Sequence, residues 1–221
     1  PFHGDSPSPS ERAGQPFTPA ELRDHFTAFA DQLGAEKVVL MGYSLGGRVA
    51  LSLLETMPER IARAVLIAPD GLKPRPWYRR LADSPWGRAR YRRFIEHPER
   101  VHFIIHTLHR LGLLRDKLHR FIIGQTDSIH KRRLLHDVWL SFRHIEVDLP
   151  ALADRLRARG PRVDLVFGTY DTVIKPKLGR PLATRAPQVV HVHDVALGHQ
   201  LLTPEVARRV AALLATDAGR S

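Results

Sequence analysis

Four short apolar runs are spaced along the chain, and each is too short to be a typical helix. They are Lys37–Gly42, Ala62–Ala68, Val163–Gly168 and Val189–His193. Nearly continuous apolar runs of this length are typical of strands that are covered on both faces, as in a parallel sheet. The pattern therefore predicts four buried, parallel strands.

Helical periodicity lies between and around these runs. Thr18-Pro19-Ala20-Glu21 combines a capping residue, a first-turn proline and a capping-box glutamate, so a helix is predicted from there to Gly34. A last helix is predicted to begin at Thr203-Pro204. Strands that alternate with helices indicate an α/β fold. The apolar faces predicted to be buried are Leu22, Phe26, Phe29 and Leu33 in the first helix and Val206, Val210, Leu213 and Leu214 in the last.

Charge divides the chain into two parts. Residues 71–146 hold 17 lysines and arginines against 7 acidic residues, whereas the rest of the chain holds 17 against 16. The basic segment also shows helical patterning, with helices predicted at Val101–Leu111 and Lys131–Phe142. We therefore expect a core formed by residues 1–70 and 147–221, interrupted by a basic, mostly helical insertion at 71–146.

Composition excludes several classes of protein. The 221 residues are long enough for one domain with an insertion, and they include no cysteine, which excludes disulfide scaffolds, thiol nucleophiles and cysteine-bound metals. No run of about 18 apolar residues predicts a membrane span. The net charge is +11, and 28 of the 34 basic residues are arginine. The compartment stays open, with the cytoplasm as the default expectation.

The segment Gly42-Tyr43-Ser44-Leu45-Gly46-Gly47 follows a predicted strand directly and precedes a helical run. A G-x-S-x-G sequence in that context is typical of a nucleophile elbow, a turn so tight that bulky neighbours are excluded and the serine hydroxyl is lifted from the end of the sheet. Ser44 is thus the candidate nucleophile. The backbone amide of Leu45, at the start of the following helix, is a candidate oxyanion donor.

A serine nucleophile needs a base and an acid that orients it. Asp171 leaves the carboxyl end of the run Val163–Gly168, and it is the candidate acid unless it only caps a turn. Asp70, after the run Ala62–Ala68, is the rival acid. His199, in a loop between the fourth strand and the last helix, is the candidate base.

Other residues offer weaker candidates. His191 and His193 alternate along a strand, and His102, His106 and His109 share a helix face, but packing is the favoured interpretation of both sets over metal binding. Tyr43, Trp77, Tyr78 and Trp139 are possible substrate contacts, while most aromatic residues of the basic segment are expected to form its own core. That wider aromatic set also includes Trp86, Tyr91 and Phe142.

The segments Gly42–Gly47, Phe167–Asp171 and Gly198-His199 resemble those of the α/β-hydrolase superfamily, in the order of its Ser–Asp–His enzymes. The opening residues 1–6 resemble the turn after that family's fourth strand, rather than its HG oxyanion loop. The resemblance then implies that the first four strands, and the loop with the second oxyanion donor, precede Pro1. It also implies that the basic segment is a lid.

The resemblance implies a serine hydrolase that cleaves an ester or related carbonyl compound through an acyl-enzyme. Ser44 excludes relatives that use aspartate in the elbow. A binding protein without turnover, and a lyase or C–C hydrolase for an anionic molecule, remain alternatives. We expect no cofactor and no metal. The expected partner is a small-molecule substrate, and an anionic substrate is one of the alternatives. No nucleic acid is expected as a partner. Contact of the arginines with an acidic membrane surface is left open.

Overall fold

The computed structural model describes residues 15–73 and 76–215, with only the backbone of residues 76–78. The opening segment 1–6, which was compared with a family turn, lies outside the described residues. The chain divides into two compact units. We call residues 19–73 with 145–215 the sheet unit, and residues 15–18 with 76–144 the helical unit. The interpretation of the latter as a lid stays a prediction.

The sheet unit is built on four parallel strands in the order β1-β2-β3-β4. Each of the four predicted strands is present, with ends displaced by one or two residues. Because all neighbouring strands pair in parallel, the carboxyl ends of the strands meet at one edge of the sheet. The bounds are Val38–Tyr43 for β1, Ile61–Ile67 for β2, Arg162–Gly168 for β3 and Val190–Val195 for β4.

Helices connect the strands and, together with turns and loops, form the rest of the described chain. Those of the sheet unit are α1 (Pro19–Gln32), α2 (Leu45–Thr56), α8 (Leu149–Arg159), α9 (Arg180–Arg185) and α10 (Pro204–Ala215). Those of the helical unit are α3 (Pro76–Asp83), α4 (Pro85–Glu96), α5 (Glu99–Arg110), α6 (Asp116–Thr126) and α7 (Ile129–Ser141).

The core of the sheet unit is formed by the strands together with α2 and α8. Ala64, Leu66 and Leu165 on the central strands are fully buried, as are Leu51 on α2 and Leu152 on α8. Each fully buried leucine contributes about 1.5–3 kcal/mol to folding. The near-continuous apolar runs of β2 and β3 exist because both faces of these two strands are covered.

Helix α1 corrects one expectation. Leu22 is buried, but Phe29 and Leu33 are among the most exposed apolar side chains, and Phe26 is also exposed. Helix α1 packs on α2 and buries Leu22 and Ala30. The prediction that all four apolar positions face inward was therefore wrong. A neighbouring surface, rather than periodicity alone, decides which side of a helix is buried.

The helical unit uses conventional helix signals. Ser84 and Ser128 cap α4 and α7 by accepting from Gly87 N and Lys131 N. The buried Arg132 on α7 donates to Ile95 O and Thr126 O, and thereby satisfies the carboxyl ends of two other helices. None of the helices in the described ranges is long and apolar enough to cross a bilayer.

Candidate active site

Ser44 lies between strand and helix without belonging to either. Strand β1 ends at Tyr43 and α2 begins at Leu45. Ser44 has φ 51° and ψ −112°. A positive φ is strained for any residue with a Cβ and persists only where surrounding contacts impose it. Here Ser44 N donates to Ile67 O at 3.0 Å, and Ser44 O accepts from Gly47 N at 3.0 Å and from Asp70 N at 2.9 Å.

Two glycines near Ser44 are required by close approach. A Cβ on Gly42 would lie 2.6 Å from Gly46 O, and one on Gly47 would lie 2.5 Å from Pro69 Cβ. Among the described residues outside its own helix, a Cβ on Gly46 would meet nothing within 4 Å. The expectation that bulky neighbours are excluded is thus supported at Gly42 and Gly47, whereas at Gly46 the Cβ position is open.

Asp171 and His199 are brought together, although 28 residues separate them. His199 Nδ1 lies 2.8 Å from Asp171 Oδ2, and the Asp171 side chain is fully shielded from solvent. Because an ionised carboxylate only accepts hydrogen bonds, the Nδ1 proton points to Asp171, and Nε2 carries the lone pair of the neutral ring. Asp171 Oδ1 also accepts from Val173 N and Ile174 N. The residue therefore caps a turn and orients a histidine at the same time.

The His199 loop is fastened to the ends of β1 and β3. Tyr43 Oη donates to His199 O at 2.7 Å, and the two rings lie 5.6 Å apart. A Cβ on Gly168 would lie 2.5 Å from Gly198 O, so the loop can approach β3 only because residue 168 is glycine. Burial, and then the nearby Asp171 charge, raise the pKa of the Tyr43 hydroxyl. Tyr43 is the residue before Ser44, and it thus connects the nucleophile elbow to the histidine loop. Its predicted contact with a substrate stays a prediction.

Asp70, the rival acid, is engaged elsewhere. Its Oδ2 forms an ion pair with the guanidinium of Arg48, and its Oδ1 accepts from Gly71 N. Both side chains of the pair are only 10% exposed. Because Asp70 N also donates to Ser44 O, Asp70 supports the elbow from the β2 side. Its carboxylate does not hold His199, and Asp171 is the better candidate acid.

The remaining site predictions fare differently. Leu45 is the first residue of α2, where amide groups have no partner within the helix. The side chains of Trp77 and Tyr78 lie outside the described residues. Trp139 is half-buried on α7, and its contact with a substrate stays a prediction.

The wider aromatic set of the helical unit is divided between its surface and its interior. Trp86 is exposed beneath Arg90. Phe142 packs on Phe17 with 5.2 Å between ring centroids.

Four of the histidines that were considered as metal ligands have other partners, namely His193, His102, His106 and His109. His193 Nε2 lies 2.8 Å from Asp164 Oδ1, a carboxylate that the sequence analysis did not foresee near it. Nowhere in the described chain do three histidine or acidic side chains form a group that could hold a metal ion. On α5, His102 contacts Thr126, His106 contacts His119, and His109 contacts Asp116.

A buried polar cluster was missed by the sequence analysis. The side chain of Asp164, in the middle of β3, has no solvent exposure, and it accepts from Arg63, Arg162 and His193. Burial opposes ionisation of Asp164, but these three donors prevail and lower the pKa of its carboxyl. Charged residues inside apolar runs were the available signal, because a charge is buried only when it is paired.

Comparison with known proteins agrees with this architecture. A family model of the alpha/beta hydrolase fold matches residues 1–203, so the chain belongs to that family. An alpha/beta hydrolase from a Medee basin deep-sea metagenome library aligns with all of this chain and 77% of its own length, at TM-score 0.64 and 16% identity.

Curated relatives match over shorter stretches or at lower identity. Homoserine O-acetyltransferase of Thermus thermophilus is 41% identical over 69 residues, which are 30% of this chain and 18% of that enzyme. An uncharacterized hydrolase of Bacillus subtilis is 23% identical over 79% of this chain and 62% of its own length. The chain therefore spans less than two thirds of the curated relatives it matches.

Proposed function

We propose that the chain carries the catalytic residues of a serine hydrolase that cleaves esters or related carbonyl compounds. The observation that carries the proposal is the Asp171–His199 hydrogen bond, in a loop fastened to Tyr43, the residue before the strained Ser44. Membership of the alpha/beta hydrolase family supports it further. A serine alone is a weak nucleophile, whereas a serine with an oriented histidine is an activated one.

In the proposed reaction His199 Nε2 takes the Ser44 proton as Ser44 Oγ attacks the carbonyl carbon. The amide of Leu45 donates to the oxyanion that forms. The bond between the carbonyl carbon and the oxygen of the leaving group then breaks, and His199 donates the proton to the departing alcohol. Water attacks the acyl-enzyme with its proton passing to His199, and the acid is released as the proton returns to Ser44. Asp171 holds the imidazole in the required tautomer throughout.

The test is covalent labelling with a fluorophosphonate probe, which reacts with activated serines, followed by intact mass. We expect one adduct on the parent chain and none on Ser44→Ala. Ser52→Ala is the matched control, since Ser52 is a fully buried serine on the same helix α2. It should label like the parent. A folded parent that gains no adduct would overturn the proposal and favour the binding-protein alternative.

Substrate class is tested separately, with paired neutral and anionic aryl esters of equal acyl length. Preference for the anionic member would support the alternative of a lyase or C–C hydrolase that recognises a negative substrate. The basic segment of the chain, with 17 basic against 7 acidic residues, is the observation that keeps this alternative in view. Equal rates would leave ester hydrolysis as the supported activity.

A further inference from the structure

Helix α5 carries an apolar stripe that faces solvent. Val101, Ile104, Leu108 and Leu111 follow one another at intervals of three, four and three residues, so they lie along one side of the helix. All four are exposed, the last of them just past the end of α5. In a helix that packs against a protein core such a stripe is buried.

The polar side of α5 is the side that packs. His106 Nδ1 lies 2.9 Å from His119 Nε2 on α6, and the rings of His109 and His119 stack at 4.1 Å. His102 reaches Thr126 at the end of α6. Histidines thus supply contacts with α6, whereas the aliphatic side chains of Val101, Ile104 and Leu108 are exposed.

The apolar surface continues into the connection between α5 and α6. Leu111 and Leu113 are 67% and 73% exposed, and Gly112 between them has a φ of +69° that turns the chain. Phe103 and Phe121 add two exposed aromatic rings on the same hairpin. Large apolar side chains grouped in this way on a surface mark an interaction site.

Basic residues are interspersed with these apolar residues along the same segment of the chain. Residues 99–121 contain five lysines and arginines against two acidic residues. One of the two acids, Asp116, is bound to His109. The exposed basic side chains are Arg100, Arg110, Arg115, Lys117 and Arg120.

We propose that the hairpin formed by α5 and α6, residues 99–126, docks on an anionic lipid surface. Helices that lie in a membrane interface combine an apolar face with lysine and arginine, the first entering the acyl boundary and the second meeting lipid phosphates. Because a lipid interface is fluid, it can accommodate a stripe of flexible aliphatic side chains without a groove of matching shape. A second copy of the chain is disfavoured as the occupant, because both copies carry a net charge of +11.

The test is co-sedimentation of the purified chain with two kinds of vesicle at low salt. One kind is phosphatidylcholine alone and the other contains about one third phosphatidylglycerol. We expect binding to the anionic vesicles to be at least about tenfold stronger and to fall as salt is raised, because salt screens exposed charges. Equal binding to both vesicles, or none to either, would overturn the proposal.

Two pairs of matched variants separate docking from general stickiness. Leu111→Asp with Leu113→Asp should lose anionic-vesicle binding by about tenfold or more. Leu33→Asp with Leu202→Asp should retain it, since those two leucines are 64% and 72% exposed but lie in the sheet unit. Arg110→Glu with Arg115→Glu should also lose binding, whereas Arg157→Glu with Arg159→Glu on α8 changes the net charge equally and should retain most of it.

Each remaining outcome contradicts the proposal in a defined way. Loss only in the arginine variant would mean electrostatic adsorption without entry of the leucines. A change of oligomeric state in the Leu111 and Leu113 variant, measured by light scattering, would identify a second copy as the occupant. Binding to polyglutamate but not to vesicles would indicate an acidic protein instead. Labelling of Ser44 is independent of all these results.

Discussion

Strand β3 has a buried aspartate near each end, and each aspartate holds a histidine at 2.8 Å. Asp171 follows the carboxyl end of the strand and pairs with His199, whereas Asp164 lies nearer the amino end and pairs with His193. Asp164 also receives hydrogen bonds from Arg63 and Arg162. Asp171 instead receives two backbone amides.

An Asp–His pair therefore does not define an active site by itself. The charge of Asp164 is neutralised by guanidinium groups, so His193 is one donor among several and the cluster joins three strands. Asp171 is held by amide dipoles, and His199 is its side-chain hydrogen-bond partner beside the Ser44 elbow. Position at the strand's carboxyl edge, together with the kind of partner, separates the catalytic candidate from the structural cluster.

The sharpest test of this comparison is Asp171→Asn against Asp164→Asn. We expect the first to lower the rate of fluorophosphonate labelling by about 10³–10⁴-fold, because an asparagine favours the wrong tautomer of His199. The second should label at close to the parental rate. Labelling kinetics by intact mass at neutral pH measures both. Equal losses of labelling rate in the two variants would mean that Asp171 and Asp164 do not differ in their effect on Ser44.

Stability should show the opposite order. Asp164→Asn removes the carboxylate charge that pairs with the guanidinium of Arg63, which is 6% exposed. We expect the free energy of unfolding to fall by about 3–5 kcal/mol, as for other buried pairs that lose one member. Asp154→Asn, which removes an exposed partner of Arg157 on α8, should cost less than about 1 kcal/mol. Urea denaturation of the three chains is the measurement, and equal costs would contradict the assigned role.

Asp70 extends the comparison to a third carboxylate. Asp70→Asn removes the charge from its ion pair with Arg48, and we expect a loss of about 1–3 kcal/mol in unfolding free energy because a buried, charge-assisted hydrogen bond is weakened. The pH dependence of Ser44 labelling should keep its parental shape, since Asp171 still holds His199. A labelling rate at neutral pH that fell as far as that of Asp171→Asn would transfer the role of acid to Asp70.

The smallest expected effect is on acid stability. The native pKa of Asp164 lies below its ordinary value of 3.8, so the folded protein binds this proton less readily than the unfolded chain. The stabilisation is complete above 3.8 and is lost as the pH falls through the native pKa. The difference in unfolding free energy between the parent and Asp164→Asn should therefore narrow from about pH 5 to about pH 3. A constant difference would mean that the carboxyl of Asp164 has the same pKa in the folded and in the unfolded chain.

Much of the sheet unit could be predicted from sequence, since apolar runs of strand length allow few alternatives. The order of Ser44, Asp171 and His199 along the chain was informative because the strand before each residue could be recognised. The order of residues along the chain could not decide whether Asp70 or Asp171 is the candidate acid. The hydrogen bond between Asp171 and His199 favours Asp171. That choice depends on Arg48, a residue inside a helical run with no local sign of its partner.

The errors share one physical cause, because they concern which surfaces meet. Phe29 and Leu33 have helical spacing, yet they are exposed. Arg63 and Asp164 interrupt apolar strands, and only the pairing of β2 with β3 brings them together. The stripe on α5 was predicted to be helical, but no periodicity could say that its histidine side would be the one that packs.

The open space at Gly46 has a practical consequence for engineering. Saturation libraries lose most of their members when they include positions where any side chain collides with backbone, as at Gly42 and Gly47. Residue 46 lies in the first turn of the helix after Ser44, and among the described residues outside that helix a Cβ there meets nothing within 4 Å. Replacing this glycine with alanine therefore adds a side chain next to the nucleophile without a collision of the Cβ.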